Sequence, residues 1–410
     1  MMTKKKYFLT ILVLGTLSAI SPFSIDMYLP GFPAIAKDLN TTVANVQLSL
    51  SSFFIGISVG QLLYGPLLDR YGRKNPLYFG LGLYLISSIG CTFAHSAESL
   101  IIYRFLQALG GCVGMVASRA MIRDIFPVSE IAKVFSLLML VIGVSPLLAP
   151  TIGGYVTALF GWHYVFVILT IMSGLILIAV HYTLPEGRKP DTSISLKPKP
   201  ILRGFREVLK NPQFYTYTLT GSIAAAGLYA YIAGSPYVFM EIFKVSEQAY
   251  GWIFASIAVG IIGASQLNTL LLRRFESEQI IVGALICQSF TGVLLFAGAY
   301  FEFTGLYSTI SLIFVFLCCQ GFSFPNSSAL ALTPFSKNAG SASALMGSLQ
   351  MALGALASVM VSLLSNHTAL PMTGVMALCA CGSLITLLAG KRIIKSRAIK
   401  QSGSNANFTV

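Results

Sequence analysis

Charged residues are scarce in this chain. Asp, Glu, Lys and Arg make up 10% of its 410 residues, whereas 55% of the residues are hydrophobic. An ordinary soluble protein has about 25% charged residues. A water-soluble fold of this composition has too few polar groups to cover its apolar surface. The sequence therefore excludes an ordinary soluble domain and indicates that lipid is part of the solvent.

The sequence also lacks the motifs of metal sites, disulfide scaffolds and nucleotide hydrolysis. Its seven cysteines include no C-x-x-C pair and its histidines are scattered, which argues against a zinc site or a disulfide framework. There is no G-x-x-x-x-G-K-[ST] phosphate loop, no pair of carboxylates within the apolar runs and no Ser/His/Asp set. We therefore expect a protein that is not an enzyme and that uses no metal and no cofactor.

Long apolar runs dominate the sequence instead. A transmembrane helix needs roughly 20 apolar residues, and twelve runs reach or approach this length. They cover residues 7–29, 43–64, 77–93, 100–122, 131–159, 164–184, 214–239, 251–272, 280–300, 306–330, 342–364 and 372–389. Backbone groups in lipid need internal partners, so the runs must form helices or a closed barrel, and they are too long for barrel strands. We predict an all-α membrane protein with twelve transmembrane helices.

The basic residues give the chain an orientation. There are 27 Lys and Arg against 14 Asp and Glu, in short clusters between the runs, which fits membrane orientation better than a nucleic-acid partner. Most lie on the side of the N-terminus, so the positive-inside rule predicts that both termini are cytoplasmic. The membrane that we expect is the cell (inner) membrane. The predicted parts are an N-terminal six-helix half (1–184), a cytoplasmic linker (185–212), a C-terminal six-helix half (213–394) and a cytoplasmic tail (395–410).

The two halves show a faint repeat. Pro30 and Pro236, near the ends of the first and seventh runs, are separated by nearly the same number of residues as Arg70 and Arg274, which follow the second and eighth runs. Parallel repeats of this kind occur in transporters whose binding site lies at the interface between the repeats.

The loop 65–74, GPLLDRYGRK, is the most specific motif. It resembles the G-x-L-x-D-R-x-G-R-K/R loop that the major facilitator superfamily carries between its second and third spans. The resemblance implies that Asp69 and Arg73 help to lock the cytoplasmic gate, with Asp124 as a partner for Arg73. The other residues of this predicted gate loop are Gly65, Arg70, Gly72 and Lys74. A solvated charged turn that only sets the topology is the alternative.

Two charges lie within predicted spans. Asp26 is near the outer end of the first run, and Arg104 lies at similar depth in the fourth, in a stretch that resembles the family's R-x-x-Q-G pattern with Ala108 in place of Gly. In the superfamily both of these helices line the cavity. We predict that Asp26 faces this cavity and exchanges a proton, while the charge of Arg104 biases its ionisation. The alternative is a fixed ion pair or a boundary residue.

The fifth run contains GVSPLLAPTIGG at 143–154. It resembles the antiporter signature G-x-x-x-G-P-x-x-G-G, with Ser145 and Ala149 at the first two glycines of the pattern. The residues of this predicted antiporter helix are Pro146, Pro150, Gly153 and Gly154. Proline kinks a helix and glycine permits close packing, which suits two halves that rock about a central site.

Three further strings narrow the resemblance. SIDMYLPGFP at 24–33, PLLAP at 146–150 and WHY at 162–164 are similar to the bicyclomycin- and chloramphenicol-resistance branch of twelve-helix drug:proton antiporters. The resemblance implies two six-helix halves of the major facilitator fold and a secondary multidrug exporter, monomeric by family default, that exchanges small lipophilic drugs for protons. A transporter of one natural metabolite, or a non-transporting membrane protein, is the alternative. Residues predicted for the substrate cavity are Tyr28, Gln47, Phe54, Gln61, Tyr231, Ser235, Gln320 and Asn326.

Overall fold

The computed structural model describes residues 4–187, 190–193, 196, 198–335 and 339–406, and these residues form α-helices and no strand. The helices are α1 (Lys4–Asp26), α2 (Phe32–Asp38), α3 (Val43–Arg70), α4 (Lys74–Thr92), α5 (Ala97–Ile125), α6 (Val128–Phe160), α7 (His163–Thr183), α8 (Pro198–Leu209), α9 (Pro212–Pro236), α10 (Glu247–Leu271), α11 (Ser277–Tyr300), α12 (Leu306–Leu332), α13 (Ala339–Leu363) and α14 (Leu370–Ala406).

Twelve of these helices are long, as the sequence predicts. Eleven of the described helices are long and apolar enough to cross a membrane. The twelfth is α4, which at 19 residues is the shortest of the long helices and corresponds to the run that the sequence already marks as short. The two remaining helices, α2 and α8, were not predicted; α2 follows α1 and α8 lies in the linker.

The first and last helices differ from their predicted bounds. The predicted span 7–29 continues past the end of α1 at Asp26, where the chain turns through a 3-10 turn (Leu29–Gly31) into α2. Pro30 and Pro33 lie in the first turns of these two short helices. Proline has no backbone N–H, and in the first turn of a helix that group would have no partner within the helix. At the other end, α14 continues as a helix to Ala406, so the predicted tail begins as helix.

Side-chain caps define where several helices start. The Thr42 hydroxyl accepts a hydrogen bond from the backbone N–H of Asn45 at the start of α3, and Ser96 caps α5 in the same way through Ser99. Asn211 accepts two backbone N–H groups before Pro212 opens α9. These caps satisfy N–H groups that have no partner within the helix.

The same helix pairs recur in the two halves. In the N-terminal half α1 packs on α5, α6 and α7, α3 packs on α5, and α4 packs on α5 and α7. In the C-terminal half α9 packs on α12, α13 and α14, α10 packs on α12, and α11 packs on α12 and α14. Each helix of α1 and α3–α7 thus has a counterpart in α9–α14, which is the parallel repeat that the sequence predicts.

Two helix pairs join the halves. They are α3 with α13 and α6 with α10, and the repeat interchanges one pair with the other. We call the end of the bundle that carries α8 and the first turn of α9 the linker end, and the opposite end, which carries α2, the α2 end. Along α3 and α13, serine hydroxyls hydrogen-bond across the boundary, Ser51 to Ser358 at 2.7 Å and Ser58 to Ser348 at 3.0 Å.

Small residues allow helices within a half to approach closely. A Cβ atom on Gly110 of α5 would lie 2.5 Å from the carbonyl oxygen of Gly80 in α4, and one on Gly80 would lie 2.9 Å from that of Gly110. Close backbone approach between glycines is the usual basis of tight helix packing in membranes.

Replacing Gly110 with Val should therefore force α4 and α5 apart. Overpacking of a tight contact costs typically about 1–3 kcal/mol, so we expect a lower temperature of thermal unfolding for the purified protein in detergent. Gly82→Val on α4 is the matched control, since no atom lies within 4 Å of a Cβ there. Equal unfolding temperatures for the two variants would contradict the close contact.

Candidate transport site

Asp26 lies at the boundary between the two halves. It is the last residue of α1 and its exposed fraction is 6%. It lies near three tyrosines of the other half, Tyr229 and Tyr231 in α9 and Tyr250 in α10. Across the described ranges, no hydrogen bond or ion pair to the Asp26 carboxylate is found. A carboxyl group with this much burial and no cation is unusual, because an unpaired buried charge is costly.

The tyrosines around Asp26 belong to an aromatic and hydroxyl-rich surface. Tyr250 shares a hydrogen bond of 2.9 Å with Ser235, and Tyr231 stacks on Phe254 with its hydroxyl buried and unpartnered among the described residues. The Tyr229 ring packs edge-on against Phe54 of α3, with ring centroids 4.8 Å apart. Three residues predicted for the substrate cavity, Phe54, Tyr231 and Ser235, thus lie on this surface.

Arg104 is fully buried inside the N-terminal half. Its Nη1 donates to Gln107 Oε1 at 2.6 Å and its Nη2 donates to the carbonyl oxygen of Ser24 at 3.0 Å. The Gln107 amide in turn donates to Ser88 at 2.7 Å, and the Ser24 hydroxyl bonds that of Tyr84 at 2.6 Å. This network ties the C-terminal part of α1 to α4 and α5.

Three aromatic rings complete the surroundings of Arg104. The guanidinium carbon lies 4.1 Å from the ring centroid of Phe53, 4.6 Å from that of Tyr28 and 5.7 Å from that of Phe166. Within the described part of the chain, no carboxylate is at ion-pair distance from Arg104, and its Nε is buried without a partner. Ring faces and a backbone carbonyl therefore take the place of a counter-ion.

Asp26 and Arg104 do not form the fixed ion pair that is the alternative to the predicted role of Asp26. Arg104 bonds within the N-terminal half, whereas Asp26 lies at the boundary with the C-terminal half. They are joined instead through the backbone of α1, since Arg104 bonds the carbonyl oxygen two residues before Asp26. Tyr28, predicted for the substrate cavity, lies with Arg104 and hydrogen-bonds Ser49 at 2.8 Å, away from the boundary.

Glycines bring α6 and α10 into backbone contact near the α2 end. A Cβ on Gly154 would lie 2.5 Å from the Glu247 carbonyl oxygen, and a Cβ on Gly251 would lie 2.9 Å from that of Pro150. Gly153 makes the corresponding contact within the N-terminal half, where a Cβ would clash with the carbonyl oxygen of Met27. The two glycines of the predicted antiporter helix thus face the residue that follows α1 and the first turn of α10.

The α2 end of the structure is closed. Besides the contact of α6 with α10, the 3-10 turn Leu29–Gly31 touches α9 and α10, and α2 touches the π-helical turn Tyr237–Ile242 that follows α9. Asp26 lies beneath this closure, next to the 3-10 turn. The structure therefore represents a state in which the carboxyl group is shut off from the α2 end.

The gate loop forms an ion-pair cluster around the buried Arg73 at the linker end. Arg73 Nε donates to Asp124 Oδ2 at 2.6 Å, and Arg73 Nη1 donates to Asp69 Oδ1 at 2.8 Å. Burial lowers the pKa of Arg73, but its hydrogen bonds to Asp124 and Asp69 and their charges outweigh this effect, so its pKa is raised above the ordinary value. The guanidinium stays charged, and Asp124 is the partner that the sequence indicates.

Two glycines with positive φ shape this cluster. Gly72 (φ 79°) turns the chain between α3 and α4, and Gly187 (φ 73°) passes over the cluster, where a Cβ would lie 3.0 Å from Arg73 Cγ. The linker continues across the loop, and the Asp191 N–H donates to the Asp69 carbonyl oxygen at 3.3 Å. Arg70 lies over the Tyr71 ring, while Gly65 has open space beside it and Lys74 opens α4.

The remaining residues predicted for the cavity are divided between the boundary and the C-terminal half. Gln61 of α3 lies against Gly347 of α13, and the Oε1 of Gln47 is buried without a partner in the described structure. Asn326 and Gln320 bond within the C-terminal half. The Asn326 amide donates to Asn268 at 2.7 Å, and Gln320 accepts from Ser323 at 3.5 Å, so the structure does not bring either of them to Asp26.

Comparison with known proteins identifies the family. The model of the Major Facilitator Superfamily matches residues 14–359. The chain belongs to this superfamily. It is 34% identical to the MFS-type transporter YdgK of Bacillus subtilis over 91% of this chain and 93% of that protein. It is 32% identical to the bicyclomycin resistance protein homolog of Haemophilus influenzae over 98% and 99% of the two chains.

A third relative is the multidrug resistance protein MdtL of Escherichia fergusonii, 30% identical over 90% of this chain and 92% of that protein. The structure of a D-xylose–proton symporter has a TM-score of 0.71 at 16% identity, over 94% of this chain and 97% of that chain, and therefore shares the fold. These findings confirm the major facilitator fold in two halves and the resemblance to the bicyclomycin-resistance branch. The chain is a multi-pass membrane transporter and not an enzyme.

The sequence pointed to Asp26, Arg104 and Tyr231 but missed two of the three tyrosines near Asp26. Tyr229 and Tyr250 lie far from Asp26 along the chain, and no motif marks them. Gly251 was also missed as the counterpart of Gly154. The one sequence signal for Gly251 was its position near the start of α10. By the repeat, this part of α10 corresponds to the start of α3.

Replacing Gly154 with Val should open the α2 end. The added side chain collides with the backbone of α10, so we expect the population of states to shift toward separation of the halves there. Spin labels at Glu98→Cys and Ser365→Cys, in a Cys287→Ser background, should report longer distances by pulsed electron paramagnetic resonance.

Gly263→Val on α10 is the control for this measurement, because no atom lies within 4 Å of a Cβ at that position. Its distance distribution should match that of the parent protein. An unchanged distribution in Gly154→Val would mean that the contact of α6 with α10 does not hold the α2 end closed.

Proposed function

We propose that this transporter is a secondary multidrug exporter that exchanges small, mostly apolar drugs for protons by alternating access. The observation that carries the proposal is the position of Asp26. This carboxyl group lies buried between two halves that must separate during transport, beneath the closed α2 end and without a cation among the described residues. A proton is the one partner that such a group can gain or lose with each opening and closing.

The geometry supports a coupling order. Closing the α2 end around an ionised Asp26 would bury an uncompensated charge against tyrosines, whereas closing it around a neutral carboxyl carries no such cost. The halves therefore close more readily over a protonated Asp26. When water reaches the group from the linker end the proton can leave, so each cycle carries a proton from the α2 end to the linker end.

Arg104 acts on this step through position and charge. It is held to α1 at the carbonyl oxygen of Ser24, so its charge stays at a fixed distance from the end of α1. A fixed positive charge near a carboxyl group favours release of its proton once water is present. The absence of an ion pair between them leaves Asp26 free to respond to the movement of the halves.

The surface around Asp26 suits small, mostly apolar cargo. Rings of Phe54, Tyr229, Tyr231 and Phe254 supply apolar area, and the unpartnered Tyr231 hydroxyl supplies a hydrogen-bonding group. Binding sites for varied small molecules combine a mostly apolar lining with a few polar groups. The names of the bicyclomycin resistance and MdtL relatives support drugs as this cargo.

The distribution of charge supports the direction of transport. The linker end carries most Lys and Arg, so we assign it to the cytoplasm and the protein to the inner membrane, with both termini cytoplasmic. In this orientation Arg73, Asp69 and Asp124 lie at the cytoplasmic gate, and protons enter as drug leaves. One chain contains both halves of the pathway, so a monomer suffices.

The test is proton movement in liposomes that contain the purified protein. With an imposed proton gradient, lipophilic drugs should trigger a change of lumenal pH with the parent protein. Asp26→Asn removes the exchangeable proton at the same volume, so we expect at least a tenfold loss of drug-triggered proton movement. Glu98→Gln, at an exposed acidic residue on the α2 end, is the control and should transport normally.

Three outcomes decide between the candidate functions. Full drug-driven proton movement in Asp26→Asn would sink the coupling role of Asp26. Movement triggered by one metabolite and by no drug would show a dedicated metabolite transporter. Drug transport without any proton movement would exclude antiport and leave the fold and the family unchanged.

A further inference from the structure

The linker helix α8 separates its basic and apolar residues onto different sides. With 3.6 residues per turn, Lys199, Arg203 and Arg206 fall within about 60° of one another around the helix axis. The apolar residues Leu202, Phe205, Val208 and Leu209 occupy the neighbouring sector. A short helix with a basic face beside an apolar face is typical of segments that lie in the membrane interface.

One edge of the apolar sector docks α8 onto the C-terminal half. Val208 is fully buried in a cluster with Phe214, Ala331 and Ala342, and Phe205 packs against the same cluster. These partners lie in the first turn of α9, the last turn of α12 and the first turn of α13. The helix is thereby fixed at the level where three transmembrane helices begin or end, which is the boundary between lipid and water.

The other edge of the apolar sector is exposed. Leu202 is 62% exposed and Leu209 is 44% exposed. Around the axis both leucines lie between the docked edge and the basic face, and Lys199, Arg203 and Arg206 are all exposed.

We propose that α8 is a binding site for anionic phospholipids. Leu202 and Leu209 enter the edge of the acyl layer, and Lys199, Arg203 and Arg206 bind headgroup phosphates. Charge complementarity selects this partner, because three neighbouring cations attract an anionic headgroup and gain little from a zwitterionic one. The nearby Glu207 pairs with Arg203 at 3.5 Å, an exposed contact that is weak enough for a phosphate to replace.

This site has a consequence for transport. The α8 helix joins the two halves in sequence and is docked on the C-terminal half, while the preceding linker segment lies over the ion-pair cluster of Arg73 in the N-terminal half. A lipid bound at α8 therefore holds the C-terminal half and the linker at a fixed depth while the N-terminal half moves.

The test measures lipid binding to the full chain by native mass spectrometry. The purified protein is titrated with phosphatidylglycerol or with phosphatidylcholine of the same acyl chains. Each basic side chain near an anionic surface strengthens binding about fivefold, so the triple variant Lys199→Gln, Arg203→Gln, Arg206→Gln should bind phosphatidylglycerol roughly a hundredfold more weakly. Its weak binding of phosphatidylcholine should not change.

A matched variant removes three exposed charges elsewhere at the linker end: Arg273→Gln, Arg274→Gln and Lys395→Gln. It should bind phosphatidylglycerol as the parent protein does. Equal losses in the two triple variants would mean a general charge effect, and no loss in the α8 variant would mean that the lipid binds elsewhere; either result overturns the proposal.

Hydrogen exchange separates lipid binding from a structural role of these residues. In nanodiscs, backbone amides of residues 199–209 should exchange more slowly with phosphatidylglycerol present than with phosphatidylcholine alone. Leu202→Asn should abolish this difference without lowering the unfolding temperature, because Leu202 is exposed. Equal exchange in both lipids, or protection of α8 that requires an added cytosolic protein, would contradict a lipid site.

Discussion

The cost of burying a charge away from water governs the arrangement of this structure. Arg73 is buried between two carboxylates that supply both hydrogen bonds and opposite charge. Arg104 is buried more deeply and is balanced by an amide oxygen, a backbone carbonyl and three ring faces. Of these three residues, Asp26 alone has no hydrogen bond and no opposite charge among the described residues, and it lies where the two halves meet. The charges with fixed partners hold the N-terminal half together, whereas the charge without one is placed where movement changes its surroundings.

The repeat of helix pairs explains how one boundary can serve two states. The repeat interchanges the contact of α3 with α13 and the contact of α6 with α10. The two halves therefore meet through two symmetry-related helix pairs, called seams below, on either side of the central site. A rocking motion that tightens one end of both seams loosens the other end. The chemistry is not shared equally, however. Asp26, Arg104 and the gate-loop cluster all belong to the N-terminal half, and the C-terminal half contributes tyrosines, glycines and the docking site of α8.

The sequence predicted those features that depend on local patterns. Apolar length placed the twelve long helices. The loop motif indicated Arg73 with Asp69, which lie in the same ten-residue loop, and Asp124 of α5 was named beside them as a partner for Arg73. The sequence did not predict Tyr229 and Tyr250 beside Asp26, since these two residues reach it only through packing of the two halves. An effect of the Arg104 charge on Asp26 stays a prediction, and equal depth along the helices could not show that Arg104 is held by the carbonyl oxygen of Ser24 within the N-terminal half. The helix α8 was hidden for a different reason: at twelve residues it is far too short to appear among transmembrane runs.

The contact of Gly154 and Gly251 with the opposing backbones has a consequence for the speed of the cycle. A contact made of long side chains restricts their rotamers each time it forms. The lost conformational entropy costs about 1–2 kcal/mol for each long flexible side chain. Backbone atoms that meet at glycines have no rotamers to freeze or release. Opening and closing this contact therefore changes side-chain entropy very little, and the closed state gains no deep minimum from interlocked side chains. Two conformations that stay close in free energy can be shifted by an event as small as the binding of one proton or one drug molecule.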